Sequence, residues 1–478
     1  MTTINVRITT VFIIALTSMI SCKTLNTNIS IAEKKLPGTY NSTATDTNNV
    51  AGINWKQYFT DPQLLQLIDS ALAGNIDRQI ALQRIEIARA GCRMAKAALL
   101  PYAQVNVSPA IRRFGLYTMD GAGNISTEIT PGKIVPINLP DYYLGVQSTW
   151  EIDIWGKLRS RRSSAIASFL ASQEGLHFLQ SNIVADVATA YYQLIALDNE
   201  LDIIRRTINK QKEAYEVIQM QKDAARANEL AVQQFKAQLL GWQAMEYDAL
   251  QRITVTENYI NFIAGRFPQP VPRNKQAIFV APPATISSGI PAQLLQYRPD
   301  IREAMHLVQA SKFDVKAAKA EFFPSLNITA AIGYQAFNPQ YLFYTPASLA
   351  YTALGSLTAP LVNRNSIKAK FNSAKASQLT ALYNYQKTVL NAYTEVINGL
   401  SEIQNLQQTY RLKKEQTEVL MSAVQTSRDL YTATKASYLE VLLVQQNSLQ
   451  AQLELVQTGK QRHIAMVNMY KALGGGWQ

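Results

Sequence analysis

The residues best suited to chemistry in this chain do not assemble into a recognisable reaction centre. His177, His306 and His463 lie far apart and lack the short spacing that brings imidazoles together on a metal, so packing roles are expected for them. Glu151 and Asp153 stand two apart, which puts both carboxylates on one face of a strand, as an acid/base pair would need. On an alternating strand that face is more simply read as one that meets water. Gly474, Gly475 and Gly476 close a helical segment, with no Lys-Ser/Thr after them to complete a phosphate cradle. Cys92 sits in a helical pattern and reads as a small buried apolar side chain. Neither enzymatic activity nor a cofactor or metal is expected.

Cys22 is different, because of what surrounds it. Residues 1–21 carry Arg7, a short apolar run from Val11 to Leu16, and Met19-Ile20-Ser21 before the thiol, which is the pattern of a secretory signal. It resembles a bacterial lipoprotein signal, in which Cys22 is acylated and becomes the first mature residue; Met19 stands where Leu is usual. The polar, Thr/Asn/Ser-rich stretch that follows reads as an extended tether over 22–61. The formal net charge of +12 comes from Lys and Arg scattered among Glu and Asp along helices, with no basic stripe for nucleic acid.

The remainder is one unit written twice. Ala95-Lys96-Ala97-Ala98-Leu99-Leu100-Pro101 returns as Ala318-Lys319-Ala320-Glu321-Phe322-Phe323-Pro324, 223 residues later. Further on the offset becomes 209, pairing Leu158 with Ile367, Ala165 with Ala374, Leu230 with Leu439 and Gly265 with Gly474. The first copy therefore carries a 14-residue surplus between Pro101 and Leu158. Repeat 1 is placed at 62–265, a Pro-rich connector at 266–290, repeat 2 at 291–474 and a short tail at 475–478. Each repeat has helices, including one of roughly 68 residues that would be about 100 Å long. Its seam runs Leu176, Leu179, Ile183, Val187, Ala190, Leu194, Leu197, Leu201, Ile204 and Ile208, the spacing of a coiled coil. Each repeat also has two segments of period two, at about 101–115 and 141–153, and at about 325–337 and 348–361. A Gly- and Pro-rich loop joins the first two, and Leu354 falls on the polar face of the last.

The expected fold class is therefore mainly α with a β-barrel portion: duplicated long coiled-coil helices and two strand pairs per chain. Four strands with one apolar face cannot close alone, and open edges are prohibitive in lipid, so the alternation demands oligomerisation. Eight strands enclose a lumen filled by side chains, while twelve leave room for water.

Trp55 to Pro62, Leu99 to Pro101, Trp150 to Lys157, Arg298-Pro299-Asp300-Ile301, Tyr438 to Leu442 and the ending Tyr470 to Trp477 together resemble the TolC-like outer-membrane factor family. The likeness is to its lipoprotein branch, which serves resistance-nodulation-division efflux pumps. It implies a homotrimer with a twelve-stranded barrel in outer-membrane lipid and a twelve-helix tube in the periplasm. The implied function is a passive exit duct for small molecules or drugs, docking a periplasmic adaptor (membrane fusion protein) and an inner-membrane transporter. A type I secretion exit, a metal-efflux exit and a closed lipid-anchored coiled-coil scaffold are the alternatives. The breaks between the long helices, at Ala225, Arg226, Ala227 and Asn228 and at Thr434, Lys435, Ala436 and Ser437, are expected to meet the adaptor. The resemblance also implies a gate at the inner end, carried here to Asp223, Arg428, Asp429 and Tyr431.

Overall fold

The computed structural model describes residues 36–40, 49–279, 288–359 and 364–478; Cys22, the signal segment and most of the tether lie outside them, as do 280–287 of the connector and 360–361 of the last strand segment. The elements that carry the fold are α1 (Pro62–Gly74), α2 (Ile76–Ala97), β1 (Tyr102–Arg113), β2 (Asn138–Ile152), α3 (Lys157–Asp223), α4 (Glu229–Ile263), α5 (Pro299–Ala320), β3 (Ser325–Ala336), β4 (Leu349–Thr358), α6 (Arg364–Thr432) and α7 (Tyr438–Ala472). They divide into two compact units. One comprises Ile87–Phe169 and His306–Leu382 and contains the strands; the other comprises the described part of Glu33–Glu86 with Leu170–Met305 and Tyr383–Gln478. Among the described residues no helix is long and apolar enough to cross a membrane.

In the first unit the four strands form one antiparallel sheet in the order β1-β2-β3-β4. The register aligns the apolar positions across all four, so Val105 faces Val146, Val146 faces Ile332 and Ile332 faces Tyr351. A one-residue slip in any pair would mix the two faces. β2 begins at Asn138, three residues before the start read from the alternation. The segment between β1 and β2 also holds more order than its Gly and Pro content indicated. A helix, Met119–Ser126, is capped by Thr118, whose hydroxyl accepts from the Gly121 N–H at 3.1 Å, and the strands Glu128–Thr130 and Lys133–Ile134 pair after it. Local capping and a short ladder satisfy backbone groups there that composition alone cannot show.

The second unit is helical. α1 starts with Pro62 in its first turn and Asp61 as cap, the carboxylate accepting from the Gln63 N–H at 2.9 Å. Leu64, Leu67, Ile68 and Ala71 of α1 are buried against Val187, Tyr191, Leu194 and their neighbours on α3. Complete burial of a Leu or Ile side chain contributes about 1.5–3 kcal/mol, so the heptad seam is the main source of cohesion. From Ile183 to Ile208 every seam residue is buried. α3 is continuous over 67 residues, a length of about 100 Å.

The duplication is visible down to single hydrogen bonds. Between α1 and α2 the buried Asn75 amide donates to the Ile263 carbonyl at 2.8 Å, closing the end of α4. In the second copy Arg298 stands 223 residues on and donates to Ala472 at 2.9 Å, at the end of α7, 209 residues after Ile263. Arg298 is buried and its remaining donors need acceptors. Asp300 at 2.7 Å and Glu395 at 2.6 Å supply them. Nearby, Glu174 pairs with Arg302 at 2.6 Å, and Trp477 stacks on His177 with ring centres 4.5 Å apart. Burial, and then the charges of Asp300 and Glu174, hold the Glu303 carboxyl above its ordinary range.

Two outcomes are expected from thermal unfolding of the purified protein. Arg298→Ala leaves carboxylates uncompensated and is expected to cost about 3–5 kcal/mol, against about 1–3 kcal/mol for Asn75→Ala. Glu303 binds its proton more tightly folded than unfolded, so its ionisation opposes folding as pH rises. Glu303→Gln is therefore expected to raise the Tm at pH 7.5, with the gain fading to nothing below the ordinary value of 4.5. A pH-independent gain would exclude that cause.

Candidate functional site

The two faces of the sheet differ in chemistry. Val105, Val107, Ile111, Val146, Ile332, Tyr351 and Leu357 share the apolar face and are exposed in the single chain, Val105 at 72% and Ile111 at 76%. Such a contiguous apolar surface on a soluble monomer would be unusual. The other face places Gln104, Gln147, Ala331 and Thr352 in one row, and Glu151, Asn327 and Ser356 in another. Leu354 belongs to this polar face, opposite Thr329. Gly145 and Gly333 are directly paired on it, and a Cβ at Gly145 would collide with the Tyr143 hydroxyl and the Ile332 carbonyl. An aromatic ring laid over paired glycines lets strands curve toward that face.

At the end of β2 the two carboxylates take separate roles. Glu151 pairs with Lys157 at 2.5 Å. Asp153 does not stand free toward water as the alternation implied. It accepts from the free N–H groups of Leu158 at 3.0 Å and Arg159 at 2.8 Å, at the start of α3, and pairs with the Arg159 side chain. Burial opposes its ionisation, but those hydrogen bonds outweigh burial and lower its pKa. Trp155 fixes the same corner by donating to Pro324 at 2.8 Å and stacking on Phe323 at 4.7 Å. The histidines remain apart in role: His177 meets Glu174, His463 meets the Ile278 carbonyl at 3.2 Å, and the His306 Nδ1 is buried without a partner. Among the described residues no cluster of His, Cys, Asp and Glu could hold a metal.

The turns between the long helices repeat each other closely. α3 ends with the Arg226 N–H bonded to Gln221 and the Ala225 N–H to Lys222; α6 ends with Lys435 on Leu430 and Thr434 on Tyr431. This is the Schellman arrangement, which calls for a left-handed residue usually supplied by glycine. Here Ala225 and Thr434 fill that position, both at φ 57°. Asn228 then caps α4 through the Ala231 N–H at 2.9 Å, and Ser437 caps α7 in a reciprocal box with Glu440. Lys222 and Glu229 pair across the first turn. Ala227, Tyr431 and Tyr438 pack with Ile218, Ala231 and Phe235, so the two turns share one small core. Arg226, Thr434, Lys435 and Ser437 are exposed, and Ala436 is half-buried.

Of the gate candidates, Tyr431 is tied in place. Its hydroxyl donates to the Gln221 side chain at 2.6 Å, and burial raises its pKa. Asp429 accepts from Gln425 at 2.9 Å, and Asp223 is exposed. Among the described residues no ion pair joins Asp223, Arg428 and Asp429. Arg428 instead lines a groove with Arg206 and Lys210. That groove, the left-handed residues and the Arg298 network were missed from sequence. Of these, only the Arg298-Pro299-Asp300 run left a visible signal.

The family model for outer membrane efflux proteins matches residues 67–266 and 290–475. The chain belongs to the outer membrane efflux protein family. It is 27% identical over 427 residues to the solvent efflux pump outer membrane protein SrpC of Pseudomonas putida, covering 88% of this chain and 87% of that one. It is 26% identical to a probable outer membrane lipoprotein, SilC of Salmonella typhimurium, over 91% of each. Among solved structures the outer-membrane channel OprN is similar with a TM-score of 0.81 at 27% identity, covering 95% of this chain and all of that one. The helix-and-strand architecture is thus that of TolC-like channels, and this efflux protein is an exit duct of the outer membrane.

The left-handed turn residues generate a test. A non-glycine residue there costs about 1–2 kcal/mol, more for β-branched Thr434. Thr434→Gly is expected to stabilise the chain by about 1 kcal/mol, read as a rise in denaturation midpoint. No rise would mean that neighbouring packing relieves the strain.

Proposed function

We propose that three copies of this efflux protein close into a twelve-stranded barrel whose polar face lines a water-filled lumen. In this reading the duct receives small molecules or drugs from an inner-membrane resistance-nodulation-division transporter through a periplasmic adaptor. The observation that carries the proposal is the in-register apolar face on a sheet whose outer strands, β1 and β4, are each paired on one side only. Hydrocarbon tolerates neither an unpaired edge nor an unclosed sheet. Two chains would give eight strands and a filled interior, whereas three give an open one. Cys22 carries the lipid anchor, with SilC as the supporting relative.

The turns at residues 225–228 and 434–437 meet the adaptor in this proposal. Ala227 already packs inside its own chain, so Lys435 and Ala436 are the better probes of that contact. Asp223, Arg428 and Asp429 act as a lock between protomers, and Tyr431 holds the two turns together within each. Exposed ion pairs contribute about 0–1 kcal/mol each, a weak lock that an adaptor preferring the open form could release.

Reconstitution in planar bilayers is the decisive experiment, with stepwise conductance expected from the trimer. An intact trimer that never conducts returns the reading to a closed scaffold. Arg428→Ala with Asp429→Ala is expected to raise single-channel conductance; unchanged conductance would move the constriction elsewhere. Fatty-acid labelling is expected in the wild type and absent in Cys22→Ser.

A further inference from the structure

Within the helical unit, α3, α4, α6 and α7 enclose a groove of about 130 Å³. A water molecule needs only about 10–15 Å³ on this measure, so the space admits a much larger group. Its polar lining is one-sided. Arg206 and Lys210 on α3 and Arg428 on α6 border it, and no carboxylate does. Among the described residues none of the three side chains makes an ion pair; Arg206 donates to the Asp202 backbone carbonyl at 3.2 Å.

Two further groups are built into the wall with unused capacity. Gln211 and Gln445 are 1% and 7% exposed, and the side-chain oxygen of each lacks a hydrogen-bond partner. The Gln211 amide nitrogen is occupied, donating to the Phe235 carbonyl at 3.2 Å and to Gln238 at 3.3 Å, which leaves its oxygen as the open position. A buried acceptor left unpaired opposes folding, and a donor placed in the groove would relieve that cost. Trp242 and Leu449 supply buried apolar wall beside these groups.

Cations at the border, acceptors in the wall and an aromatic surface together specify a ligand. We infer that this groove binds a small organic anion that carries a hydrogen-bond donor on an apolar body. The carboxylate or phosphate lies against Arg206, Lys210 and Arg428. The donor reaches Gln211 and Gln445, and the apolar body packs on Trp242. Such a ligand bridges α3 of the first repeat to α6 of the second. The inference goes beyond the exit-duct reading and does not need it, since binding is measured without transport.

The test is calorimetric titration of the purified protein in non-ionic detergent with 4-hydroxybenzoate, benzoate and 4-hydroxybenzamide. 4-Hydroxybenzoate is expected to bind once per chain, benzoate at least fivefold more weakly, and the uncharged amide not measurably. Arg206→Gln with Lys210→Gln changes only exposed positions and is expected to weaken 4-hydroxybenzoate at least tenfold while the oligomer elutes unchanged. Gln445→Leu is expected to erase the preference for 4-hydroxybenzoate over benzoate. No saturable heat from 4-hydroxybenzoate, equal affinity in the double variant, or equal binding of the amide would each overturn the inference and leave a groove filled by water.

Discussion

Backbone hydrogen bonding in hydrocarbon is the constraint that the rest of this chain obeys. A strand buried in lipid must pair both its edges, and a single sheet of four strands leaves two edges open. The register answers the first half of the demand by keeping every apolar row intact from Val105 to Tyr351. Curvature answers the second, because Gly145 and Gly333 face one another where a side chain would hold the strands apart. The helices then hold strand pairs at fixed positions, through the cap that Asp153 gives α3 and the stacking of Trp155 on Phe323.

The duplication makes this economical, since one solution serves twice. The turn after α3 and the turn after α6 use the same hydrogen bonds, the same left-handed position and a side-chain cap two residues beyond its helix-end bonds. Neither copy uses glycine there, although glycine would be the less strained choice. Both turns are therefore held by what surrounds them, including the shared core of Ile218, Phe235 and Tyr431.

Sequence revealed what depends on local period. The seam from Ile183 to Ile208, the ends of the long helices and the alternation of β1 to β4 are all written in neighbouring residues, and periodicity reads neighbours. What it could not show required a partner distant in the chain. Asp153 alternates like a water-facing residue, but the free N–H groups of the next helix lie within reach of its carboxylate. Arg428 and Asp429 are adjacent gate candidates, yet a helix turns neighbours about 100° apart, and Arg428 lines a groove while Asp429 accepts from Gln425. The groove beside Arg428 combines α3 with α7, a combination invisible in either segment alone.

The substitution of Asn75 by Arg298 between the copies has a consequence for how the two halves respond to their surroundings. The first joint is held by a neutral amide, whose hydrogen bond to Ile263 is indifferent to ionic strength. The second rests on a guanidinium and two carboxylates, one of them, Glu395, half open to solvent. Salt screens those ion pairs, most of all the one to exposed Glu395, while the anchor of α4 carries no charge to screen. The two related halves thus differ in kind at the same joint, one held by a dipole and the other by ions, and a rise in ionic strength loosens the second joint more than the first.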